Sequence, residues 1–284
     1  MSLGIVILLG LIQGLTEFLP VSSSAHLILF PWFFGFEDPG LGFDVCLHLG
    51  TAAAIFIYFF KEWWELLGAG IASIVDRRLG FEPNRMLFWL IMVSTVPGAL
   101  CGYLFHEAAE SSLRSPLFIA VLLAGAGCIL YYVDMAFPAL KRLDQLTFKD
   151  ALWVGIAQAF AVLPGVSRSG ATICMARVLG IQRESAARFS FLMAFPIILA
   201  AGLFEGRKLL LEPWDLHQSF LGHYLLGFFV SAVVGMITIH LLLSYVKRAD
   251  FKIFAWYRVG LALAVVLYSV ILLKQASSPP IPIP

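Results

Sequence analysis

Two short polar segments interrupt long apolar stretches of this sequence, and the side chains that could do chemistry lie in or beside them. The first segment, residues 19–24, follows Glu17, and the second, residues 163–170, contains Arg168. A charged side chain within an apolar segment is costly unless it is paired or solvated, so it is a functional candidate by default. Glu17 and Arg168 are therefore the leading candidates for a site.

The residues around Glu17 could serve acid–base chemistry or metal binding. Gln13 lies four residues earlier and shares a helix face with Glu17, while His26 follows across a break at Pro20. Structural alternatives exist for each. Glu17 could lie near lipid headgroups or pair with Arg168, Gln13 could join helices through its amide, and His26 could be a satisfied structural side chain. Three hydroxyls come from Ser22, Ser23 and Ser24, of which we expect at least one to cap the next helix.

The residues around Arg168 are those of an anion site. The segment that opens this second helix contains Ser167, Arg168, Ser169 and Gly170, with Thr172 one turn later. Free N–H groups and the dipole at a helix N-terminus favour phosphate oxygens, as does a guanidinium fork. A purely structural ion pair between Arg168 and Glu17 is the alternative. The two interpretations are compatible, because a buried Arg needs a counter-charge until an anion arrives.

If the two segments meet, a carboxylate would lie beside a phosphate, and the two would repel each other without a cation between them. We therefore predict that Glu17, helped by Gln13, holds Mg²⁺ or Ca²⁺ through oxygens. The chemistry suggested is metal-assisted attack on phosphorus. Asp44 and His48 begin an apolar span and could line the mouth of the site. Arg258, in the last span, could pair with another group or face lipid headgroups.

The composition requires a membrane protein to hold these residues. Of 284 residues, 60% are hydrophobic and 13% are charged, against about 25% charged in a soluble domain. Too little polar surface remains for a soluble enzyme, and this much apolar sequence also excludes a disordered chain. The net charge of +1 without a basic block argues against a nucleic-acid partner. The apolar runs do not alternate with polar residues, which excludes an outer-membrane barrel.

Six segments are long and apolar enough to span a membrane. They are approximately residues 43–60, 86–106, 116–134, 189–204, 220–246 and 253–273. Residues 3–35 and 151–180 instead predict two half-length helices each, meeting at a polar break. The predicted fold is an all-α polytopic membrane protein with six transmembrane helices plus two re-entrant broken-helix hairpins, in one integral membrane domain, residues 1–284.

An internal repeat relates the two breaks. The matching segments are Gly10-Leu11-Ile12-Gln13 with Gly155-Ile156-Ala157-Gln158, Val21-Ser22-Ser23-Ser24 with Val166-Ser167-Arg168-Ser169, and Val93-Ser94 with Val230-Ser231. The predicted halves are residues 1–134 and 151–273, with a loop at 135–150 and a C-terminal tail at 274–284. Three crossings in each half predict an inverted-topology repeat, in which broken helices meet near the midplane. Most of the 19 Lys and Arg residues lie on one side if both termini are outside, which predicts that orientation.

The two polar segments together resemble motifs of the undecaprenyl-diphosphate phosphatase family, also called the bacitracin-resistance family. The matching segments are Gln13-Gly14-Leu15-Thr16-Glu17-Phe18-Leu19-Pro20-Val21-Ser22-Ser23-Ser24-Ala25-His26 and Pro164-Gly165-Val166-Ser167-Arg168-Ser169-Gly170-Ala171-Thr172. The resemblance implies hydrolysis of undecaprenyl diphosphate to undecaprenyl phosphate and inorganic phosphate, which recycles the lipid carrier for peptidoglycan synthesis and gives bacitracin resistance. It also implies a divalent cation and a multi-pass protein of the bacterial cytoplasmic (inner) membrane, with its site open to the outer (periplasmic) face.

The resemblance further implies a role for each matched residue. Glu17 would be the essential carboxylate, Ser23 the favoured nucleophile, His26 the general acid/base and Arg168 the diphosphate-binding group. The remaining substrate-binding residues would be Ser22, Ser24, Ser167, Ser169, Gly170 and Thr172. Many family members have Glu where this chain has Gln13. Attack by Ser23, by His26 or by a metal-bound water all stay open.

A second class of function is also open at this point. Inverted repeats with broken helices are common in secondary transporters, so an inverted-repeat transporter or a lipid-carrier flippase is the alternative. The partners expected are undecaprenyl diphosphate and membrane lipids, without nucleic acid, and a homodimer is a further possibility.

Overall fold

The computed structural model describes residues 1–79, 82–110, 113–211 and 221–277. In these ranges the chain forms α-helices and two short 3₁₀ turns, and no β-strand. The helices are α1 (Leu3–Thr16), α2 (Ser23–Phe34), α3 (Leu41–Tyr58), α4 (Phe60–Val75), α5 (Pro83–Glu110), α6 (Pro116–Ala136), α7 (Phe148–Ala159), α8 (Arg168–Val178), α9 (Arg183–Leu211), α10 (Leu221–Val246) and α11 (Lys252–Ser277).

Six helices are long and apolar enough to cross a membrane, which confirms the six predicted spans. They are α3, α5, α6, α9, α10 and α11. The chain is thus a multi-pass membrane protein. The predicted boundaries are close, but α9 begins at Arg183 rather than at residue 189. Helix α11 runs to Ser277, into the predicted tail, and residues 278–284 of that tail lie outside the described residues.

Helix α4 is an element that the spans alone do not predict. It has 16 residues, too few for a span, and it is amphipathic. One face buries Trp63, Leu66 and Gly70, whereas Trp64 and Ile71 are exposed. Charged residues near its start interrupt the apolar run. The apolar residues of the buried face recur only every three to four positions, so a continuous apolar run does not mark this helix.

Each of the two interrupted stretches contains two short helices, as the sequence predicts. Helix α1 ends at Thr16 and α2 begins at Ser23, while α7 ends at Ala159 and α8 begins at Arg168. That each pair re-enters on one side of the membrane stays a prediction.

The two breaks share an unusual backbone conformation at one repeat position. Ser22 has φ 75° and caps α2 by accepting a hydrogen bond from the N–H of Ala25. Ser167 has φ 72° and caps α8 in the same way from the N–H of Gly170. Positive φ is uncommon for a residue with a side chain, so the similarity of the halves extends from the sequence to the backbone.

In each half, the first helix of the broken stretch packs against a span of the other half, and the two contacts are equivalent in the repeat. Helix α1 lies against α10 at Gly10, where a Cβ would come 2.9 Å from the Cβ of Val230. Helix α7 lies against α5 at Gly155, where a Cβ would come 2.5 Å from the carbonyl oxygen of Ser94. Gly10 and Gly155 are matched residues of the repeat. Glycine thus allows each broken stretch to approach a span of the other half closely enough to bring the two breaks together.

A buried carboxylate joins four elements at the end of α8 that is distant from Arg168. Asp134, near the end of α6, is 2% exposed. Its Oδ1 accepts hydrogen bonds from Nε of Arg177 (3.1 Å) and Nε of Arg183 (2.8 Å), and its Oδ2 accepts one from the N–H of Phe251 (2.9 Å). The cluster fixes the end of α8 that is distant from Arg168.

We expect Asp134→Asn to lower the free energy of unfolding by about 3–5 kcal/mol, because it leaves the buried Arg177 without its counter-charge. The measurement is unfolding of the purified protein in detergent. The matched control is Asp144→Asn, which removes an exposed carboxylate 3.7 Å from Arg142 and should cost under about 1 kcal/mol. Equal losses in the two variants would contradict this account.

Candidate active site

The carboxylate of Glu17 is the point at which the two breaks meet. It is 5% exposed and lies directly after α1. Its Oε2 accepts a hydrogen bond from Oγ of Ser23 at 2.5 Å, and its Oε1 accepts one from Nη2 of Arg168 at 2.6 Å. Ser23 and Arg168 occupy matched positions of the repeat. One carboxylate is therefore held by equivalent residues of both halves, one on each oxygen.

Further polar groups crowd the Ser23 side of this carboxylate. Nε2 of Gln13 donates to Oε2 of Glu17 at 2.9 Å, and Nε2 of His48 lies 3.4 Å from the same oxygen. His48 lies on α3, and its ring is oriented by a contact of Nδ1 with the carbonyl oxygen of Asp44, 2.7 Å away and one turn earlier. Because Glu17 receives donors on both oxygens, its ionised form is stabilised in an otherwise apolar surrounding.

A cavity of about 540 Å³ opens at this cluster. Glu17, Ser23, Arg168 and His48 line it and form what we call its polar end. The other charged or amide side chains of the lining are Asp44, Arg114, Gln158 and Glu205. Apolar side chains form much of the remaining wall, among them Leu27, Ile28, Val45, Ile197, Ile198 and Phe204. A cavity that combines this charged cluster with a large apolar wall suits a ligand with an anionic head and a hydrocarbon chain.

Three buried polar atoms of the polar cluster and the cavity wall have no hydrogen-bond partner among the described residues. They are Nη1 of Arg168, Oε1 of Gln13 and Oε1 of Gln158. Arg168 and Gln158 line the cavity. Since buried polar groups are nearly always hydrogen-bonded, these atoms point to a ligand that supplies the missing partners.

Gln158 is a candidate that motif reasoning did not assign to the site. It matches Gln13 in the repeat, is 2% exposed, and donates from Nε2 to the carbonyl oxygen of Ser94 at 3.2 Å. The repeat itself is the signal that could have identified it. His48, expected only at the mouth of the site, lies 3.4 Å from Glu17, and Asp44 lines the cavity.

His26 lies apart from the Glu17 cluster, and it is not one of the residues that line the cavity. Its Nδ1 donates to the carbonyl oxygen of Ser22 at 2.7 Å, because that oxygen can only accept. The neutral ring then accepts from the hydroxyl of Tyr257 at 2.7 Å through Nε2, and the two rings stack. The structure therefore brings His48, rather than His26, to Glu17.

The remaining hydroxyls divide into two groups. Ser24 and Ser167 line the cavity. Ser22 and Ser169 instead join the two breaks, and Thr172 bonds within α8 and to the hydroxyl of Ser190 on α9. Oγ of Ser22 accepts from the N–H of Gly165 at 3.1 Å, and Oγ of Ser169 donates to the carbonyl oxygen of Leu19 at 3.0 Å. Thr172 donates to the carbonyl oxygen of Arg168 at 2.8 Å.

The predicted cation would find only part of its coordination here. In the described ranges, no group of three or more His, Cys, Asp or Glu side chains could hold a metal ion. Glu17 and the unpartnered Oε1 of Gln13 offer oxygen ligands of the kind that Mg²⁺ and Ca²⁺ prefer. These two residues could supply only part of a ligand set, so the cation stays a prediction.

Known proteins match this sequence over nearly its whole length. A family model described as bacitracin resistance protein BacA matches residues 6–264 of the chain. The undecaprenyl-diphosphatase of Desulforudis audaxviator is 49% identical over 265 residues, which covers 93% of this chain and 97% of that protein. Its namesakes in Pelotomaculum thermopropionicum (47% identical, covering 92% of this chain and 94% of that protein) and Aliivibrio salmonicida (46%, covering 88% and 92%) are similar.

We expect Arg168→Ala to weaken the binding of inorganic diphosphate about ten- to hundredfold, because it removes a charge-assisted donor. Calorimetric titration of the purified protein measures this. The control is Arg188→Ala, which removes a guanidinium paired with Glu62 elsewhere in the fold. Undiminished binding by a folded Arg168→Ala protein would remove Arg168 from the anion site.

Proposed function

Because the chain belongs to the bacitracin resistance protein BacA family, we infer that the cavity at Glu17 is where it acts on undecaprenyl diphosphate. The chain is a hydrolase that removes the terminal phosphate of this lipid and leaves undecaprenyl phosphate. The three relatives named above are all called undecaprenyl-diphosphatase, and none of them is called a transporter or a flippase. The transport alternative therefore receives no support from them.

The observation that carries the site assignment is the meeting of Glu17, Ser23 and Arg168 at the polar end of an amphipathic cavity. The diphosphate would occupy this end, and the first part of the isoprenoid chain would follow the apolar wall toward the membrane lipids. Free N–H groups on Nη1 of Arg168 can bind a phosphate oxygen while Nη2 stays on Glu17. Binding then requires no rupture of the ion pair.

The charge balance of the cluster supports a divalent cation in the reaction. Glu17 and Arg168 neutralise each other, so the pair alone offers a diphosphate no net positive charge. Glu17 and Gln13 would hold Mg²⁺ or Ca²⁺ together with oxygens of the substrate. When bound, the ion would offset the charge that develops on the phosphate oxygens.

Ser23 would be the nucleophile, and its contact with Glu17 supports this role. Its Oγ donates to Glu17 at 2.5 Å, so the carboxylate can accept the hydroxyl proton as Oγ attacks the terminal phosphorus. The new Oγ–P bond forms as the phosphoanhydride bond breaks, and undecaprenyl phosphate leaves. Water then releases inorganic phosphate from Ser23. His26 would act indirectly, since its ring is engaged by Ser22 and Tyr257.

The orientation proposed is that of the bacterial cytoplasmic (inner) membrane with both termini and the cavity on the outer side. Two observations support it. The cavity is formed near Gly102 on α5 and Phe204 on α9, far along both helices from their N-terminal ends. Basic residues concentrate at those N-terminal ends and nearby, which favours the cytoplasm there. Among them are Arg85, Arg142, Arg183, Lys247 and Arg248.

We expect the purified protein to release phosphate from undecaprenyl or farnesyl diphosphate in detergent with Mg²⁺ or Ca²⁺, and to stop when EDTA removes the cation. Glu17→Gln is the matched inactive control, because it keeps the shape of the side chain and removes the charge. Substrate-dependent flux in vesicles, with no phosphate release under either cation, would instead favour transport. Unchanged release in EDTA would remove the cation from the mechanism.

We expect Ser23→Ala to lower kcat at least about 10³-fold, as removal of a nucleophile does elsewhere. Acid quenching of the unaltered protein with labelled substrate should trap phosphate on Ser23. Ser24→Ala is the control, because Ser24 also lines the cavity but its Oγ lies near Ser22, at 3.3 Å, rather than near Glu17. Substantial turnover by Ser23→Ala would assign the attack to a metal-bound water or to His26.

A further inference from the structure

Arg258 carries a positive charge in the last span and is fully buried. All the hydrogen bonds described for its guanidinium go to backbone carbonyl oxygens. Nε donates to Leu123 (3.3 Å), Nη1 to Pro20 (3.2 Å), and Nη2 to Gly165 (2.6 Å) and Val166 (2.9 Å). No ion pair of Arg258 occurs in the described part of the chain, so its partners are dipoles of the backbone.

The fork of Arg258 joins the same point in both breaks. Pro20 directly precedes Val21, and Gly165 directly precedes Val166, so their carbonyls are equivalent in the repeat. Carbonyl groups in such breaks lack helical partners, and leaving them unsatisfied within a membrane protein is costly. A planar guanidinium can serve several of them at once with charge-assisted bonds, which a single ammonium nitrogen cannot do in this geometry.

Gly170 provides the space that this arrangement needs. A Cβ at Gly170 would lie 2.8 Å from Nη1 of Arg258 and 3.1 Å from Cβ of Ser167. The guanidinium cannot move away without lengthening its bonds to the two breaks. Contact with Arg258 thus explains why position 170 is a glycine. Gly170 is not one of the residues that line the cavity.

We propose that Arg258 is a positioning residue, which sets the separation of the two breaks so that Ser23 and Arg168 reach opposite oxygens of Glu17. Arg258 does not line the cavity and so acts through the backbone rather than on substrate. Two neutral hydrogen bonds also join the breaks, from Gly165 to Ser22 and from Ser169 to Leu19. Loss of Arg258 should therefore misalign the cluster without separating the breaks. This inference rests on the proposed role of Glu17 and Arg168.

The first test compares Arg258→Met with Arg177→Met. Arg177 is equally buried and also bonds to backbone carbonyls, but those belong to Asp134, Phe137, Pro138 and Ile181, outside the breaks. Unlike Arg258, it is also paired with a carboxylate, that of Asp134. Both variants should lower the midpoint of thermal unfolding. Only Arg258→Met should lower kcat of the folded protein, by roughly 10²-fold, with a smaller change in KM for farnesyl diphosphate. Arg258→Lys should restore only part of kcat.

The second test is Gly170→Ala, which keeps Arg258 but displaces its fork. An alanine in a helix is intrinsically favourable, so a loss of kcat at least about tenfold, without a comparable loss of folded protein, would support positioning. Gly260→Ala is the control, since no atom lies within 4 Å of a Cβ there. If Arg258→Met does not fold, the kcat of Gly170→Ala decides whether Arg258 positions the cluster.

The proposal is overturned if Gly170→Ala and every folded Arg258 variant keep the kcat of the unaltered protein while Arg168→Ala is inactive. If instead Arg168→Ala keeps both its turnover and its binding of inorganic diphosphate, the site assignment itself fails. The two failures are therefore distinguishable in one set of proteins.

Discussion

A polypeptide that leaves the helical conformation within a membrane protein must find partners for its polar backbone groups inside the protein, and both breaks obey this constraint. The hydroxyl of Ser22 accepts from Gly165 in the other break, and the hydroxyl of Ser169 donates to Leu19 in return. Each break satisfies groups that would be unpaired if the other were absent. The joining of the two breaks is thus a requirement of the backbone before it is a feature of the site.

The charged cluster depends on these hydrogen bonds between the two breaks. Glu17 belongs to the first break and Arg168 to the second, and each would be a costly isolated charge in an apolar surrounding. Together they form a buried pair that still leaves Nη1 of Arg168 without a hydrogen-bond partner in the part of the chain that the structure describes. An ion pair that is incomplete on one side is suited to receive an anion. In the proposed function, the contact that pairs the two charges is also the one that binds the diphosphate.

The repeat supplies a common backbone frame, and differences between the halves supply the chemistry. Ser22 and Ser167 cap their helices in the same unusual conformation. At the next position one half has Ser23 and the other Arg168, which gives a hydroxyl opposite a guanidinium. The repeat equivalent of Glu17 is Val162, so a single carboxylate serves both. A symmetric frame therefore holds an asymmetric site.

The sequence by itself determined the six spans, the two breaks and the candidacy of Glu17, Ser23 and Arg168. These follow from local properties, since the length of an apolar run and a proline or serine that ends a helix are readable within a short segment. Helix α4 was not predicted from the sequence, because its apolar residues recur periodically rather than in a continuous run.

Only the tertiary structure decided that His48 rather than His26 meets Glu17, that Gln158 faces the cavity, and that Arg258 bridges the breaks. Arg258 and Pro20 are far apart in the sequence and meet only because α11 packs where both breaks come together. Such contacts depend on how helices pack and rotate against one another, which no local pattern of residues specifies.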